Sequence, residues 1–391
     1  MPLKASDYFL SDAENAAIFE QQIWPNEFGG CERNLVAVAS TAAVMLAPAN
    51  QVRPVCIILA GQTGVGKSHA APAFAAALNK ITEAGTRLCH LVADSHKPYH
   101  PAYAGLVADA AAGRAPAGLA SAATGHDARR WLASACAVAA AQKRATLVES
   151  ASRYPQDVAK MAATFQEAGY RVCLVLLGAH AAQSRLGLLA RFLDASNSSP
   201  TSLSASIPES EPDSRRRPSL PVRLTPRAIH DESYAGLALL AGMLDSQTGR
   251  ASGEKVEFLA DAVRILRRGN LVAYANDWQH ATGTWQTAPA DVCRALTIER
   301  ARRWTSNDDG SDSSSRDVAD APLAREAALF ASDVARLRAA HPDRADELNV
   351  LAEEYEAVLE ASHSEIGKED EAAYSALDAD ALVAHLQCSA W

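Results

Sequence analysis

Apolar residues along the first half of the chain fall into short runs at 55–60, 88–93, 145–148 and 172–177, interrupted only by His90 in the second and Thr146 in the third. A run of four to six apolar residues without alternation is the pattern of a strand covered on both faces. Between the runs, at 68–80, 103–112, 124–142 and 155–168, apolar positions recur three and four apart, as on helices. Strand and helix in alternation predict a parallel sheet with helices on both faces. Ahead of it, 11–24 reads as a helix opened by Ser11 and Glu14 in a capping box and stopped by Pro25. A second helix is expected at 32–46.

The second half reads differently. Residues 194–221 crowd Asn, Ser and Pro around Arg215-Arg216-Arg217 and predict a flexible surface insertion. Helices are expected at 226–247, 254–267 and 290–304, with one more strand at 271–275. A Ser/Asp/Asn linker at 305–316 leads to helices at 322–340, 345–362 and 371–387, with a turn at 341–343. Two units follow from this pattern: an α/β domain over 1–285 and a mainly helical extension over 286–391.

The first inter-element loop carries the most specific motif. Gly61-Gln62-Thr63-Gly64-Val65-Gly66-Lys67-Ser68 fits G-x-x-x-x-G-K-[ST], between a buried strand and an Ala-rich helix. Its glycines let backbone amides curl around phosphate oxygens. Lys67 reaches the outer phosphates and the Ser68 hydroxyl holds Mg²⁺. Nucleotide binding follows, but kinase, ATPase and GTPase stay open. No Walker B Asp-Glu pair and no Asn-Lys-x-Asp guanine motif stands in the chain, which favours a small-molecule kinase.

The second run ends in Asp94, 27 positions after Lys67, and the third in Glu149. Ligands of open α/β sheets sit beyond the carboxyl ends of strands, so both acids should face the loop's crevice. A carboxylate there orients or deprotonates an attacking hydroxyl, unless it merely caps a helix. His100 before Pro101 reads as a structural turn residue, and Thr124 as a helix N-cap.

Asp94-Ser95-His96-Lys97-Pro98-Tyr99-His100-Pro101 resembles the D-x-[FH]-[RK]-x-x-H-P signature of the zeta toxin family, the kinases of bacterial toxin–antitoxin systems. The segment from Glu149 to Arg153 resembles that family's Glu-Gly-Thr-x-Arg, Ser184–Phe192 its lid helix, and Arg223–Asp231 the segment supplying a second arginine. The resemblance runs from about residue 10 to 280. It implies a P-loop kinase fold and transfer of a γ-phosphate from ATP or GTP, with Mg²⁺, to the 3′-hydroxyl of UDP-N-acetylglucosamine. Cell-wall precursor synthesis would be the target. It also implies a small helical, epsilon-like antitoxin that covers the nucleotide site.

Carried onto this chain, the resemblance makes Asp94 the base and Lys67 the residue that holds the transferring group. Arg191 and Arg223 would clamp the γ-phosphate. Glu149 would bind the sugar with Ser150, Arg153 would support Glu149 or the substrate phosphates, and Lys97 would reach the diphosphate. Arg185 and Arg191, six positions apart, lie on different helix faces, so only one should aim inward. Two departures stand out. Glu149-Ser150-Ala151 lacks the family's threonine, which opens the acceptor to several UDP-sugars or another diphosphate. Arg191 and Arg223 lie 32 positions apart because of the inserted loop. The rival readings are a zeta-like kinase of NAD, a nucleoside or an antibiotic, and a non-catalytic nucleotide-dependent binding module.

Composition narrows the partners. The formal net charge is −9 over 391 residues, which argues against a nucleic-acid coat or a polybasic membrane binder. The seven cysteines are scattered with no CxxC, as reduced thiols of the cytoplasm would be. No apolar run approaches a membrane span, and Met1-Pro2-Leu3-Lys4 lacks a secretion signal.

Overall fold

The computed structural model describes residues 4–29, 53–82, 88–116, 118–197, 225–247, 259–301, 317–361 and 374–388. The expected helix at 32–46, most of the insertion and the linker at 305–316 lie outside these residues.

Among the described residues, a sheet of eight strands forms the centre. The strands are β1 Val55–Ala60, β2 Cys89–Val92, β3 Thr146–Ser150, β4 Arg171–Leu177, β5 Ala262–Arg267, β6 Leu271–Gln279, β7 Thr284–Trp285 and β8 Ser375–Ala376. Their order is β2-β3-β1-β4-β5-β6-β7, with β8 also on β6. The first five run parallel; β6, β7 and β8 pair antiparallel. The four strands expected from the apolar runs are all present. β1 lies at the middle of the five parallel strands, wholly buried, because alternate residues feed two cores: Cys56, Ile58 and Ala60 into one, Val55, Ile57 and Leu59 into the other.

The helices are α1 Asp12–Ile18, α2 Trp24–Phe28, α3 Lys67–Lys80, α4 Ala93–His96, α5 Tyr103–Ala111, α6 Leu119–Ala141, α7 Pro155–Glu167, α8 Ala181–Asn197, α9 Arg227–Asp245, α10 Val292–Ala301, α11 Asp317–Ala340, α12 Ala345–Ala361 and α13 Ala379–Gln387. Trp131, fully buried on α6, donates its indole N–H to the Asn15 carbonyl at 2.8 Å and ties α1 to the core.

Three expectations need correction. Pro25 does not stop the first helix. The chain passes through a wide turn at Phe19–Ile23, and Pro25 sits in the opening turn of α2, where a missing amide proton costs little. The expected helix at 254–267 is instead strand β5 over its last six residues. Val263 and Ile265 face one core while Ala262 and Leu266 face the other, so burial on both sides overrides a pattern equally readable as helix. Thr124 is no N-cap: it lies inside α6, with its hydroxyl donating to the Ala120 carbonyl at 2.8 Å.

The residues beyond 285 pack onto the α/β layer. Leu382, Val383 and Leu386 of α13 join the core beneath α3. Phe330, Val334 and Leu337 of α11, with Leu348, Leu351 and Tyr355 of α12, cover Leu186, Leu189 and Leu193 of α8. Among the described residues, no helix is long and apolar enough to cross a membrane.

Candidate active site

The loop from Gly61 to Ser68 joins the central strand β1 to α3, at the carboxyl edge of the parallel sheet. Its start is tied to β3, since the Gly61 amide donates to the Ser150 carbonyl at 3.1 Å. Gly64 and Gly66 have φ of +80° and +106°, the left-handed region that side chains resist. Gly64 also sits against α8, where a Cβ would meet the Ser184 carbonyl oxygen at 2.0 Å. Around Gly66 the space is open.

Lys67 Nζ donates to the carbonyls of Gly61 at 2.7 Å and Gln62 at 3.1 Å. Burial pulls its pKa down to about 8; the nearby charges of Glu149 and Asp94 oppose that fall, and Arg191 adds to it. Three of the residues singled out in sequence thus act on one ammonium group. Arg191 stands on the loop-facing side of α8, seven, four and three positions beyond Ser184, Gly187 and Leu188, the stripe that meets the loop. Its side chain is exposed and makes no ion pair among the described residues. Arg185 lies on another face and pairs with Glu354 of α12, as the helical spacing requires. Arg223 lies outside the described residues.

Asp94 is the second residue of the short helix α4, directly after β2. Its carboxylate is exposed and lies 2.5 Å from Lys97 Nζ, which also donates to Ser121 at 2.6 Å. Glu149 lies near the end of β3, with its side chain mostly buried, and meets His90 Nε2 at 2.9 Å. Strand parity explains the meeting: His90 and Glu149 point to the same sheet face as Leu147, the α3 side. Ser150 Oγ accepts the Ser152 amide at 3.1 Å and holds the turn after β3. In that turn Ser152 adopts φ +57°, and its hydroxyl is buried without a partner. Arg153 pairs with Glu232 of α9 and lies over the Tyr154 ring, so it points toward α9 rather than Glu149. His100 is buried in a turn, where its Nδ1 accepts the Ala102 amide at 3.2 Å.

His90 and Ser121 are partners that sequence reading missed. Only the shared parity of His90 and Glu149 on adjacent strands offered a signal. Ser121 comes from a helix whose placement no local pattern dictates.

The donor set fits a nucleotide with Mg²⁺. The Thr63 hydroxyl is buried without a partner, the Gly66 curve is open, and the Ser68 hydroxyl is exposed with no hydrogen bond among the described residues. Mg²⁺ takes hard oxygen ligands and keeps several waters, so one hydroxyl beside phosphates and carboxylates suffices. Among the described residues, no group of three or more His, Cys, Asp or Glu forms an all-protein metal site.

A phosphate loop at the carboxyl edge of a 2-3-1-4-5 parallel sheet, with one acid on the adjoining strand β3 and another just after β2 beyond it, defines a P-loop phosphotransferase. The sequence model of the zeta toxin family matches residues 42–279, more than half of the chain. The chain belongs to the zeta toxin family. Among solved structures it is similar to one from the PezAT chromosomal toxin–antitoxin system of Streptococcus pneumoniae. Identity there is 15%, over 76% of this chain and 91% of that one, with a TM-score of 0.46. It is also similar to the native AvrRxo1-ORF1:-ORF2 complex, at 16% identity over 81% of each chain and a TM-score of 0.38. The same complex with ATP gives 15% identity over 81% of this chain and 82% of that one, with a TM-score of 0.36. No curated protein matches the chain. Membership rests on the family match alone.

Proposed function

We propose that this chain is the toxin kinase of a toxin–antitoxin system, and that it transfers the γ-phosphate of ATP or GTP to a sugar hydroxyl of UDP-N-acetylglucosamine or a related UDP-sugar. The observation that carries the reading is the phosphate loop holding Lys67 on the carbonyls of Gly61 and Gln62, at the sheet edge where Glu149 stands near the end of β3 and Asp94 follows β2. Phosphoryl transfer needs little covalent chemistry from the protein. It needs charges fixed around a transferring group and a carboxylate beside the acceptor.

In this reading the Gly61–Gly66 amides and Lys67 hold the nucleotide phosphates, and Ser68 holds Mg²⁺. The metal would neutralise phosphate charge. Asp94 orients the acceptor hydroxyl and takes its proton. Arg191 and Arg223 stabilise charge on the γ-phosphoryl oxygens, and Glu149 accepts hydrogen bonds from the sugar. Lys97 holds Asp94 in place. Ser150 is engaged within its own turn, and the family's threonine is missing at Ala151. This favours an acceptor range wider than one sugar, with NAD, nucleosides and antibiotics as alternatives. The antitoxin would be a small helical protein that covers the nucleotide site.

The test incubates purified protein with ATP or GTP, Mg²⁺ and a panel of UDP-sugars, NAD, nucleosides and aminoglycosides. A new phosphomonoester on a UDP-sugar, absent with Asp94→Ala, is the expected product. Phosphorylated NAD alone would overturn the acceptor, and no product with any acceptor would favour a binding module.

A further inference from the structure

The phosphate loop is braced from below by a helix outside the family-matched stretch. Gln62, the loop's second residue, is completely buried. Its Nε2 donates to the Ala179 carbonyl at 3.1 Å and approaches Ser184 Oγ at 3.4 Å. Its Oε1 accepts from Arg300 Nη2 at 3.3 Å. The carbonyl of this same residue holds Lys67 Nζ and accepts the Val65 amide. Whatever fixes Gln62 therefore fixes the curve that carries the lysine.

Arg300 belongs to α10 and is buried, with 7% of its surface exposed. The same Nη2 donates to the Tyr234 carbonyl of α9 at 3.0 Å, and the guanidinium lies 3.6 Å from the centre of the Tyr234 ring. Burial of an arginine is costly unless the guanidinium is hydrogen-bonded or paired, and here the Gln62 and Tyr234 oxygens accept from it. Two anchors hold α10. At its start, the carboxylate of Asp245 accepts the Val292 amide at 2.6 Å and the Cys293 amide at 2.9 Å. Near its end, the neighbour of Arg300, Glu299, forms a buried pair with Arg267 at 2.5 Å and accepts from the Tyr374 hydroxyl. Ser184 continues the chain of contacts on the other side, meeting His230 Nε2 of α9 at 2.7 Å.

We infer that Arg300 is a positioning residue for the nucleotide: through the side chain of Gln62 it sets the curvature of the phosphate loop and makes α10 part of the nucleotide site's foundation. The inference rests on the nucleotide reading above and adds a residue to that site. Arg300 itself touches no phosphate. Its effect should fall on nucleotide affinity, with the acceptor side unmoved.

The test measures Mg–ATP and Mg–GTP affinity by titration calorimetry, together with far-UV circular dichroism, for wild type, Arg300→Met, Arg300→Lys, Gln62→Leu and the double variant Arg300→Met with Gln62→Leu. Arg300→Met should weaken nucleotide binding by roughly 10- to 100-fold, the range of a lost buried hydrogen bond to a charged donor. Arg300→Lys should recover part of the loss. Gln62→Leu should weaken binding similarly, and the double variant should be no worse than the poorer single variant. In turnover the nucleotide KM should rise while the acceptor KM stays put. If Arg300→Met fails to fold, Arg300→Lys and Gln62→Leu carry the comparison. Wild-type affinity in Arg300→Lys and Gln62→Leu, or losses that add in the double variant, would overturn the inference. Failure of the wild type to bind either nucleotide would overturn the nucleotide reading instead.

Discussion

Asp94 Oδ1 in α4 and Lys97 Nζ, just past the end of that helix, lie 2.5 Å apart, the acid exposed and the ammonium buried beside Ser121. A nearly buried ammonium anchored on α6 fixes an exposed carboxylate in direction. This is the arrangement expected of a group that must meet an acceptor hydroxyl without drifting in solvent.

Replacing the acid should therefore separate binding from chemistry. Asp94→Asn should reduce kcat by about 10²–10⁴-fold, the usual contribution of a positioned base, while nucleotide affinity stays at the wild-type value. Lys97→Met keeps the acid and loosens its direction, so a smaller fall in kcat, roughly tenfold, should appear at unchanged nucleotide KM. Steady-state kinetics with calorimetric nucleotide binding checks both. Equal kcat in Asp94→Asn and wild type would remove Asp94 from the proton transfer.

The depressed pKa of Lys67 gives a proton signature. Desolvation brings it to about 8, against an ordinary value of 10.5. Between those pH values the unfolded chain binds more protons than the folded one, so this residue's contribution to stability is present above 10.5 and lost as pH falls toward 8. Phosphates brought to Lys67 favour the ammonium form and reverse the shift. Nucleotide binding near pH 8 should take up roughly half a proton. Calorimetry in buffers of different ionisation enthalpy would measure it, and Lys67→Met should abolish it. Proton release, or none, in the wild type would contradict the pairing of Lys67 with phosphate.

Two glycines of one loop should respond differently to a methyl group. Gly64→Ala drives a Cβ into the Ser184 carbonyl and meets a positive φ, so the loop or α8 must move. The expected cost is on the order of 3 kcal/mol or more. Gly66→Ala meets only open space and should cost about 1–2 kcal/mol through its backbone conformation. Urea denaturation would rank them, and an equal loss in both would show that packing against α8 does not constrain the loop.

The parts of the site legible in sequence are those set by local chain. The loop must lie between a buried strand and a helix, and Asp94 and Glu149 follow apolar runs whose ends face the same crevice. Helical spacing also separated Arg185 from Arg191. The contacts that position these groups were not legible, because their partners are set by packing over long distances in sequence. His90 meets Glu149 across 59 positions, and Arg300 meets Gln62 across 238. Strand β5 was misread for a related reason. Val263, Ile265 and Leu266 satisfy either period, and only the covered edge of β4 selects the strand.

The hairpin of α11 and α12 covers the outer side of α8, while Arg191 stands on the side that meets the phosphate loop. Leu337 is fully buried between these helices. Leu337→Ala leaves a cavity there, with an expected loss of about 2–5 kcal/mol. The ion pairs Arg185–Glu354 and Asp194–Arg336 fix the same register. Glu354→Gln removes the charge that faces both Arg185 and Arg227 and should loosen α8 with a smaller effect on stability. If the hairpin holds Arg191 in place, both variants should lower kcat at temperatures where circular dichroism shows the fold intact, and nucleotide affinity should change less than kcat. A wild-type kcat in folded Leu337→Ala would mean that α8 keeps its orientation without this support.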